Sequence, residues 1–223
     1  MGYRRGRLGV GEWYHCYSRG VDGRTTFESD ADYERFLQTL YVSNEVGSTN
    51  RDNFKHLPHH LILELQRETP LVAVGAYSLM PNHFHLLLKE ISEGGITRFM
   101  HKVGTSYTMY FNIKNERTGN LFVKPFRSRH VSDDRYFRRA AQYIHLNAAE
   151  LFEPGWKEGS VRSMHSLEKK IRAYRFSSYV DYLISPRPEK RILDTDALNL
   201  LKDGLPPLSE VLSESREYYA SLK

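Results

Sequence analysis

Cysteine and long apolar segments are scarce in this sequence. Cys16 is the single cysteine among 223 residues, which excludes a disulfide framework and any cysteine-rich zinc or iron–sulfur site. The most apolar stretch, residues 71–79, is interrupted by Gly75 and Ser78 and is far shorter than the roughly 20 apolar residues that a membrane-spanning helix needs. We therefore expect a protein of a reducing, cytoplasmic compartment that neither spans a membrane nor is secreted.

The composition is that of a folded protein with a substantial core. Hydrophobic residues make up 40% of the chain and aromatic residues 13%, which excludes general disorder. The length is enough for one full domain and a smaller unit. We place the main domain at residues 1–157 and a C-terminal helical extension at residues 158–223.

Positive charge is concentrated in one part of the chain. The net charge is +5, and residues 98–139 hold ten basic and three acidic residues, a local net charge of +7. Aromatic residues are interleaved with these cations, so the stretch could bind phosphates through cations and bases through rings. The alternative is a solvated helix face with core aromatics. The candidate phosphate contacts are Arg19, Lys124, Arg127, Arg129, Arg138 and Arg139, together with the arm that contains Arg4, Arg5 and Arg7.

The order of the predicted elements indicates an α+β fold. Strands are expected at residues 13–18, 71–79, 83–89 and 126–131, and helices at about 30–41, 96–111 and 132–150. The order β-α-β-β-α-β followed by a helix is typical of a ferredoxin-like fold, with an antiparallel sheet and helices on one face. Shorter helices are expected at residues 59–67 and 174–184 and beyond residue 194.

A His-Phe-His sequence lies on the third predicted strand. Alternate residues of a strand point to opposite faces, so His83 and His85 share one face while Phe84 points to the other. Two imidazoles on a rigid strand can hold a metal ion. The alternative is one buried, hydrogen-bonded histidine and one exposed histidine.

Polar residues also share one face of the last core helix. Tyr143 and Asn147 are four residues apart, so a hydroxyl and an amide project together. His145 lies about 200° round the helix from Tyr143 and should point elsewhere. A core tyrosine with a satisfied hydroxyl is the alternative for Tyr143.

Several segments together resemble the single-tyrosine HUH transposases, in particular the REP-associated tyrosine transposases. The resemblance extends from about residue 13 to residue 183 and rests on residues 14–20 (YHCYSRG), 79–88 (LMPNHFHLLL), 107–111, 119–122 (GNLF), 143–147 (YIHLN) and 176–179 (FSSY). It implies that His83 and His85 are metal ligands, that Tyr143 is the nucleophile on a catalytic helix after the last strand, and that Asn147 is a third, amide-type ligand.

The resemblance also implies an activity for the domain at residues 1–157. It implies a metal-dependent nuclease and strand transferase that cleaves single-stranded DNA next to hairpins through a 5′-phosphotyrosine intermediate. Mg²⁺ or Mn²⁺ fits phosphate chemistry, and the imidazoles favour Mn²⁺. We expect a cytoplasmic, nucleoid-associated monomer or homodimer whose partner is single-stranded DNA with hairpins.

Two other functions fit parts of the sequence. A non-catalytic ferredoxin-like module could bind nucleic acid hairpins, with His83 and His85 merely structural. A two-histidine phosphoesterase needs a second His-x-Ser/Thr motif, and the sequence offers only the His145-Leu146-Asn147 segment. Cleavage of DNA with covalent capture would distinguish the transposase-like enzyme from the binding module.

Overall fold

Four antiparallel strands form the centre of the computed structural model, which describes residues 8–47, 54, 56–158, 160–183, 186–201 and 210–211. The strands are β1 (Trp13–Arg19), β2 (Val72–Met80), β3 (His83–Glu90) and β4 (Arg127–Val131), and they lie in the order β2-β3-β1-β4. β2 and β3 form the predicted hairpin. The predicted α+β class with an antiparallel sheet is confirmed.

The helices of the described chain vary widely in length. They are α1 (Asp30–Ser43), α2 (His59–Ile62), α3 (Gly95–Lys114), α4 (Asp134–Leu146), α5 (Ala149–Phe152), α6 (Met164–Ala173), α7 (Tyr179–Tyr182) and α8 (Thr195–Leu200). α1 begins where the sequence predicts, because the Asp32 carboxylate accepts a hydrogen bond from the backbone N–H of Ser29 at 3.0 Å. Within the described ranges, none of these helices has the length and apolar composition needed to cross a membrane.

The sheet separates two layers of helices. Phe36 of α1 and Val103 of α3 belong to the cluster around Phe84, whereas Ile144 of α4 packs in a second cluster with Leu87. Phe84 and Leu87 lie on opposite faces because strand side chains alternate. α1 and α3 thus share one face as predicted, and α4 covers the other.

α4 approaches the sheet closely at a glycine of β2. The β2–β3 register shifts between Val74 and Ala76, so Gly75 lies at an irregularity of the strand. A Cβ atom on Gly75 would lie 2.9 Å from Cζ3 of Trp13 and 3.2 Å from the ring of Phe137. Only glycine leaves room for these two rings, whose centroids are 4.7 Å apart.

The segment after α6 covers the free edge of β2. The backbone N–H of Leu79 donates to the carbonyl of Phe176 at 3.0 Å, and Ser177 forms an antiparallel bridge with Ser78. The predicted helix at 174–184 is therefore wrong at its start and is reduced to α7, because residues 176–178 pair with the strand edge instead. α6 was not predicted, and the boundary at residue 157 stays a prediction.

Candidate active site

The face of the sheet under α4 carries a cross-strand group of polar side chains. In the β1–β3 register, Tyr17 lies opposite His85 and Arg19 lies opposite His83. Tyr17 also lies opposite Arg127 of β4. The prediction that both imidazoles share one face is confirmed, and Phe84 points into the core on the other side.

α4 carries Tyr143 over these histidines. The helix is capped at its start by Asp133, whose carboxylate accepts from the backbone N–H of Tyr136 at 2.8 Å. The ring of Tyr143 meets His15 edge-on with centroids 5.3 Å apart, and it meets His85 in the same way at 5.9 Å. Packing of α4 on the sheet therefore holds the tyrosine next to the histidine pair.

α4 ends one residue before Asn147, and α5 starts two residues after it. The single helix predicted through Glu150 is therefore broken into two. The Asn147 side-chain Nδ2 donates to the backbone carbonyls of Tyr143 at 2.9 Å and Ile144 at 3.3 Å. These bonds orient the amide and leave its oxygen as the side chain's acceptor, which is the atom type expected of a hard-metal ligand.

The predicted catalytic and metal-binding residues line one cleft of about 420 Å³. Its walls are formed by Tyr17, Ser18, Arg19, His83, His85, Val123, Pro125, Arg127, Tyr143, Asn147, Glu150 and Lys157. The structure thus brings Tyr143, His83, His85 and Asn147 together, although their chemical roles stay predictions.

The predicted phosphate contacts divide into two groups. Arg19 and Arg127 line the cleft, whereas Lys124, Arg129, Arg138 and Arg139 are not among its lining residues. The guanidinium of Arg129 lies 6.0 Å from the ring centroid of Tyr136. Lys124 and Arg138 are exposed. The arm with Arg4, Arg5 and Arg7 lies outside the described residues.

Tyr17, Glu150 and Lys157 are among the cleft residues that the sequence analysis missed. Tyr17 could have been found from the strand period, since it lies two residues before Arg19 on the same face of β1. Glu150 follows Asn147 by three residues, but the helix break obscures that relation. Lys157 gives no local signal, because tertiary packing brings it to the cleft, where its Nζ lies 2.6 Å from the Glu150 carboxylate.

His145 points away from the cleft, as predicted. Its Nε2 lies 2.8 Å from the hydroxyl of Ser178, and the ring is almost completely buried. A phosphoesterase that uses His145 as its second histidine therefore has no support in the described structure.

Both cleft histidines are neutral at pH 7. Burial lowers the pKa of His83 to about 4, partly opposed by the nearby Glu150 carboxylate. Burial also holds the pKa of His85 well below its usual range, and the neighbouring His15 and His83 lower it further. Each neutral imidazole therefore has one ring nitrogen without a proton.

Nδ1 of each cleft histidine takes part in a hydrogen bond, so Nε2 is the ring nitrogen that can bind a ligand when it carries no proton. Nδ1 of His83 lies 2.7 Å from the side-chain oxygen of Asn82, and Nδ1 of His85 lies 2.8 Å from Nε2 of His15. The amide oxygen only accepts, so His83 carries its proton on Nδ1 and presents a bare Nε2.

The donor set fits a divalent cation that accepts nitrogen and neutral oxygen ligands. In the part of the chain that the structure describes, no group of three or more His, Cys, Asp or Glu side chains is arranged to hold a metal. A cation in this cleft would therefore combine His83 and His85 with the Asn147 amide, water or substrate oxygens. That set suits Mn²⁺ or Mg²⁺ better than a structural zinc ion.

Comparison with known proteins gives one informative match. No protein-family model matches the chain, and no curated protein matches it in sequence. Among solved structures, the chain is similar to a REP-associated tyrosine transposase bound to a REP hairpin, with a TM-score of 0.51 and 12% sequence identity. The match covers 83% of this chain and 88% of that one, so the two proteins share a fold over most of their length.

Proposed function

We propose that this chain is a metal-dependent endonuclease and strand transferase that cuts single-stranded DNA next to hairpins through a 5′-phosphotyrosine intermediate. The observation that carries the proposal is the cleft that gathers a tyrosine, two neutral histidines and an oriented amide. The shared fold with a hairpin-bound tyrosine transposase supports the substrate class. A cytoplasmic, nucleoid-associated location and a monomeric or homodimeric state stay predictions.

Tyr143 is the nucleophile of the proposed reaction. Its hydroxyl oxygen bonds to the phosphorus atom of one phosphodiester while the bond from phosphorus to the 3′-oxygen breaks. The 3′-oxygen gains a proton and the tyrosine hydroxyl loses one, so the proton count balances. The 5′-phosphotyrosine stores the energy of the broken bond, and attack by another 3′-hydroxyl rejoins DNA without ATP.

The two histidines and the amide make up for the weakness of this nucleophile. A tyrosine hydroxyl, which ionises near pH ~10 in water, attacks poorly at neutral pH. His83 and His85 through Nε2 and Asn147 through its amide oxygen would hold Mn²⁺ or Mg²⁺ beside the phosphate. When bound, such a cation withdraws negative charge from the phosphate oxygens and orients them for in-line attack.

The cations of the cleft wall favour a flexible, single-stranded substrate. Arg19 of β1, Arg127 of β4 and Lys157 after α5 line the cleft and can each bind a phosphate, although Lys157 is paired with Glu150. The half-buried ring of Tyr17 offers a surface on which an unpaired base can stack. One nucleophile cuts one strand, and a segment without a paired partner reaches such a cleft at the lowest cost.

Covalent capture tests the proposal. Labelled single-stranded hairpin DNA and Mn²⁺ are mixed with the protein, and we expect a band that resists SDS. Tyr143→Phe should lose the adduct and all cleavage while hairpin affinity stays within about threefold, because ring packing survives and only the nucleophilic oxygen is removed.

Tyr17→Phe is the matched control, since it removes the hydroxyl of the other tyrosine in the same cleft and should keep the adduct. An adduct formed by Tyr143→Phe would transfer the nucleophile to Tyr17 or to Tyr136 of α4. Hairpin binding by the native chain without any adduct would instead support a non-catalytic binding module.

A further inference from the structure

His15 of β1 is a buried histidine next to the cleft to which the proposed reaction gives no role. Only 1% of its surface is exposed, and its Nε2 lies 2.8 Å from Nδ1 of His85. The two rings are stacked with centroids 5.0 Å apart and planes 27° apart. The other nitrogen, Nδ1, is buried and has no hydrogen-bond partner among the described residues.

The hydrogen bond between these rings can be made in two ways. If His15 donates from Nε2, the neutral His85 carries its own proton on Nε2 and has no lone pair for the cleft. If His85 donates from Nδ1, its Nε2 carries no proton and has a lone pair that can bind a cation. The proton position on His85 therefore decides whether that side chain can bind a cation.

His83 has no such ambiguity. Its Nδ1 hydrogen-bonds the side-chain oxygen of Asn82, and an amide oxygen can only accept. His85 depends on a partner that can both donate and accept. The two cleft histidines, although on one strand, are thus oriented by chemically different partners.

We infer that His15 is a positioning residue that accepts the Nδ1 proton of His85 and so presents Nε2 of His85 to a divalent cation. The inference rests on the proposed function for the existence of the cation site. His15 does not reach the cleft itself, and it acts by fixing the ring and tautomer of His85. In this arrangement, the neutral His15 carries its own proton on Nδ1.

Binding of Mn²⁺, measured by calorimetry without DNA, tests the inference. His15→Phe keeps a ring of similar size but cannot accept a hydrogen bond, and it should weaken Mn²⁺ binding about 10–100-fold. His15→Gln can place an amide oxygen near the position of Nε2 and should restore the affinity to within a few fold.

His145→Phe is the matched control. His145 is likewise almost fully buried, has one partnered nitrogen and an unpartnered Nδ1, and points away from the cleft. It should leave Mn²⁺ affinity unchanged, with a similar loss of thermal stability. Equal weakening by His145→Phe and His15→Phe, or no recovery in His15→Gln, would overturn the inference.

Nitrogen NMR of the native protein provides a second test that does not depend on any variant folding. With Zn²⁺ as a diamagnetic probe, His85 should carry its proton on Nδ1, and a protonated Nε2 would overturn the inference. Native protein that binds Mn²⁺ no better than His15→Phe refutes only the role of His15. Native protein with no saturable Mn²⁺ site refutes both the inference and the metal dependence of the proposed function.

Discussion

The salt dependence of DNA affinity can show which of the proposed cations bind phosphate. Arg19 and Arg127 are exposed, lie opposite cleft residues in the sheet register and line the cleft. Arg98 belongs to the same basic stretch of sequence as Arg127, but it lies on α3, on the opposite face of the sheet. Substituting each of the three arginines therefore distinguishes direct phosphate contacts in the cleft from a general effect of positive charge.

The expected size of the effect follows from counterion release. Each phosphate neutralised on single-stranded DNA contributes a slope of about −0.7 to the plot of log affinity against log salt. Between 50 and 200 mM salt, that slope corresponds to about a 2.6-fold loss of affinity per contact. Arg19→Ala and Arg127→Ala should each remove one such unit, and the double variant should remove two.

Fluorescence anisotropy with a labelled single-stranded hairpin in EDTA gives these slopes without cleavage. Arg98→Ala should leave the slope at the native value, although it changes the net charge by the same amount. A slope that changes as much in Arg98→Ala as in Arg127→Ala would refute the localisation of binding to the cleft. A salt-independent affinity in the native protein would show that the basic stretch is only a solvated surface.

Four further outcomes are expected. His83→Ala and His85→Ala should each abolish cleavage even in excess Mn²⁺, because one imidazole is too few for a weakly bound cation; residual cleavage would contradict this. Asn147→Ala removes a neutral oxygen that water can replace, so its cleavage should be partly rescued when Mn²⁺ is raised, and an unchanged metal dependence would move the third ligand elsewhere. Phe137→Ala empties a buried site beside Trp13 and should cost about 3–5 kcal/mol in urea unfolding, with a loss below about 1 kcal/mol speaking against tight packing of α4. Burial lowers the pKa of His145 to about 3, against 6.5 in an unfolded chain. The unfolded state therefore binds more protons as the pH falls from 7 to 5, and the folded state loses stability. His145→Phe should reduce that loss by about 2 kcal/mol in urea titrations at the two pH values, and an unaltered pH dependence would contradict this.

Local periodicity accounts for the parts of the site that the sequence predicted. The shared face of His83 and His85 follows from the strand period, and the common direction of Tyr143 and Asn147 follows from the helix period. These relations hold because the chain geometry within one element fixes them. The convergence of the strand pair with the helix pair came only from the family resemblance, since no spacing within one element encodes it.

Tertiary contacts explain what the sequence analysis missed. Lys157 reaches the cleft from a short 3-10 helix after α5, and His15 contacts His85 of β3, a strand that is distant in sequence. Residues 174–178 read as a helix start, but pairing with the edge of β2 prevails over local preference. α6 could have been predicted, because Ser163 is a typical N-cap residue and the buried Leu167 and Ile171 are four residues apart, as on one face of a helix.

The close packing of α4 on the sheet places an indirect constraint on the chemistry. The sheet holds both histidines and α4 holds Tyr143, so the distance from the proposed nucleophile to the two imidazoles depends on how closely α4 packs on the sheet. Ala76 and Ala140 help to set that thickness, with Gly75 beside them. In the proposed reaction, a bulkier residue at either alanine would move Tyr143 away from the histidine pair, and a displacement of about 1 Å can cost two orders of magnitude in rate. If the chain has the proposed activity, substitutions at these buried alanines can change the cleavage rate without any contact with DNA.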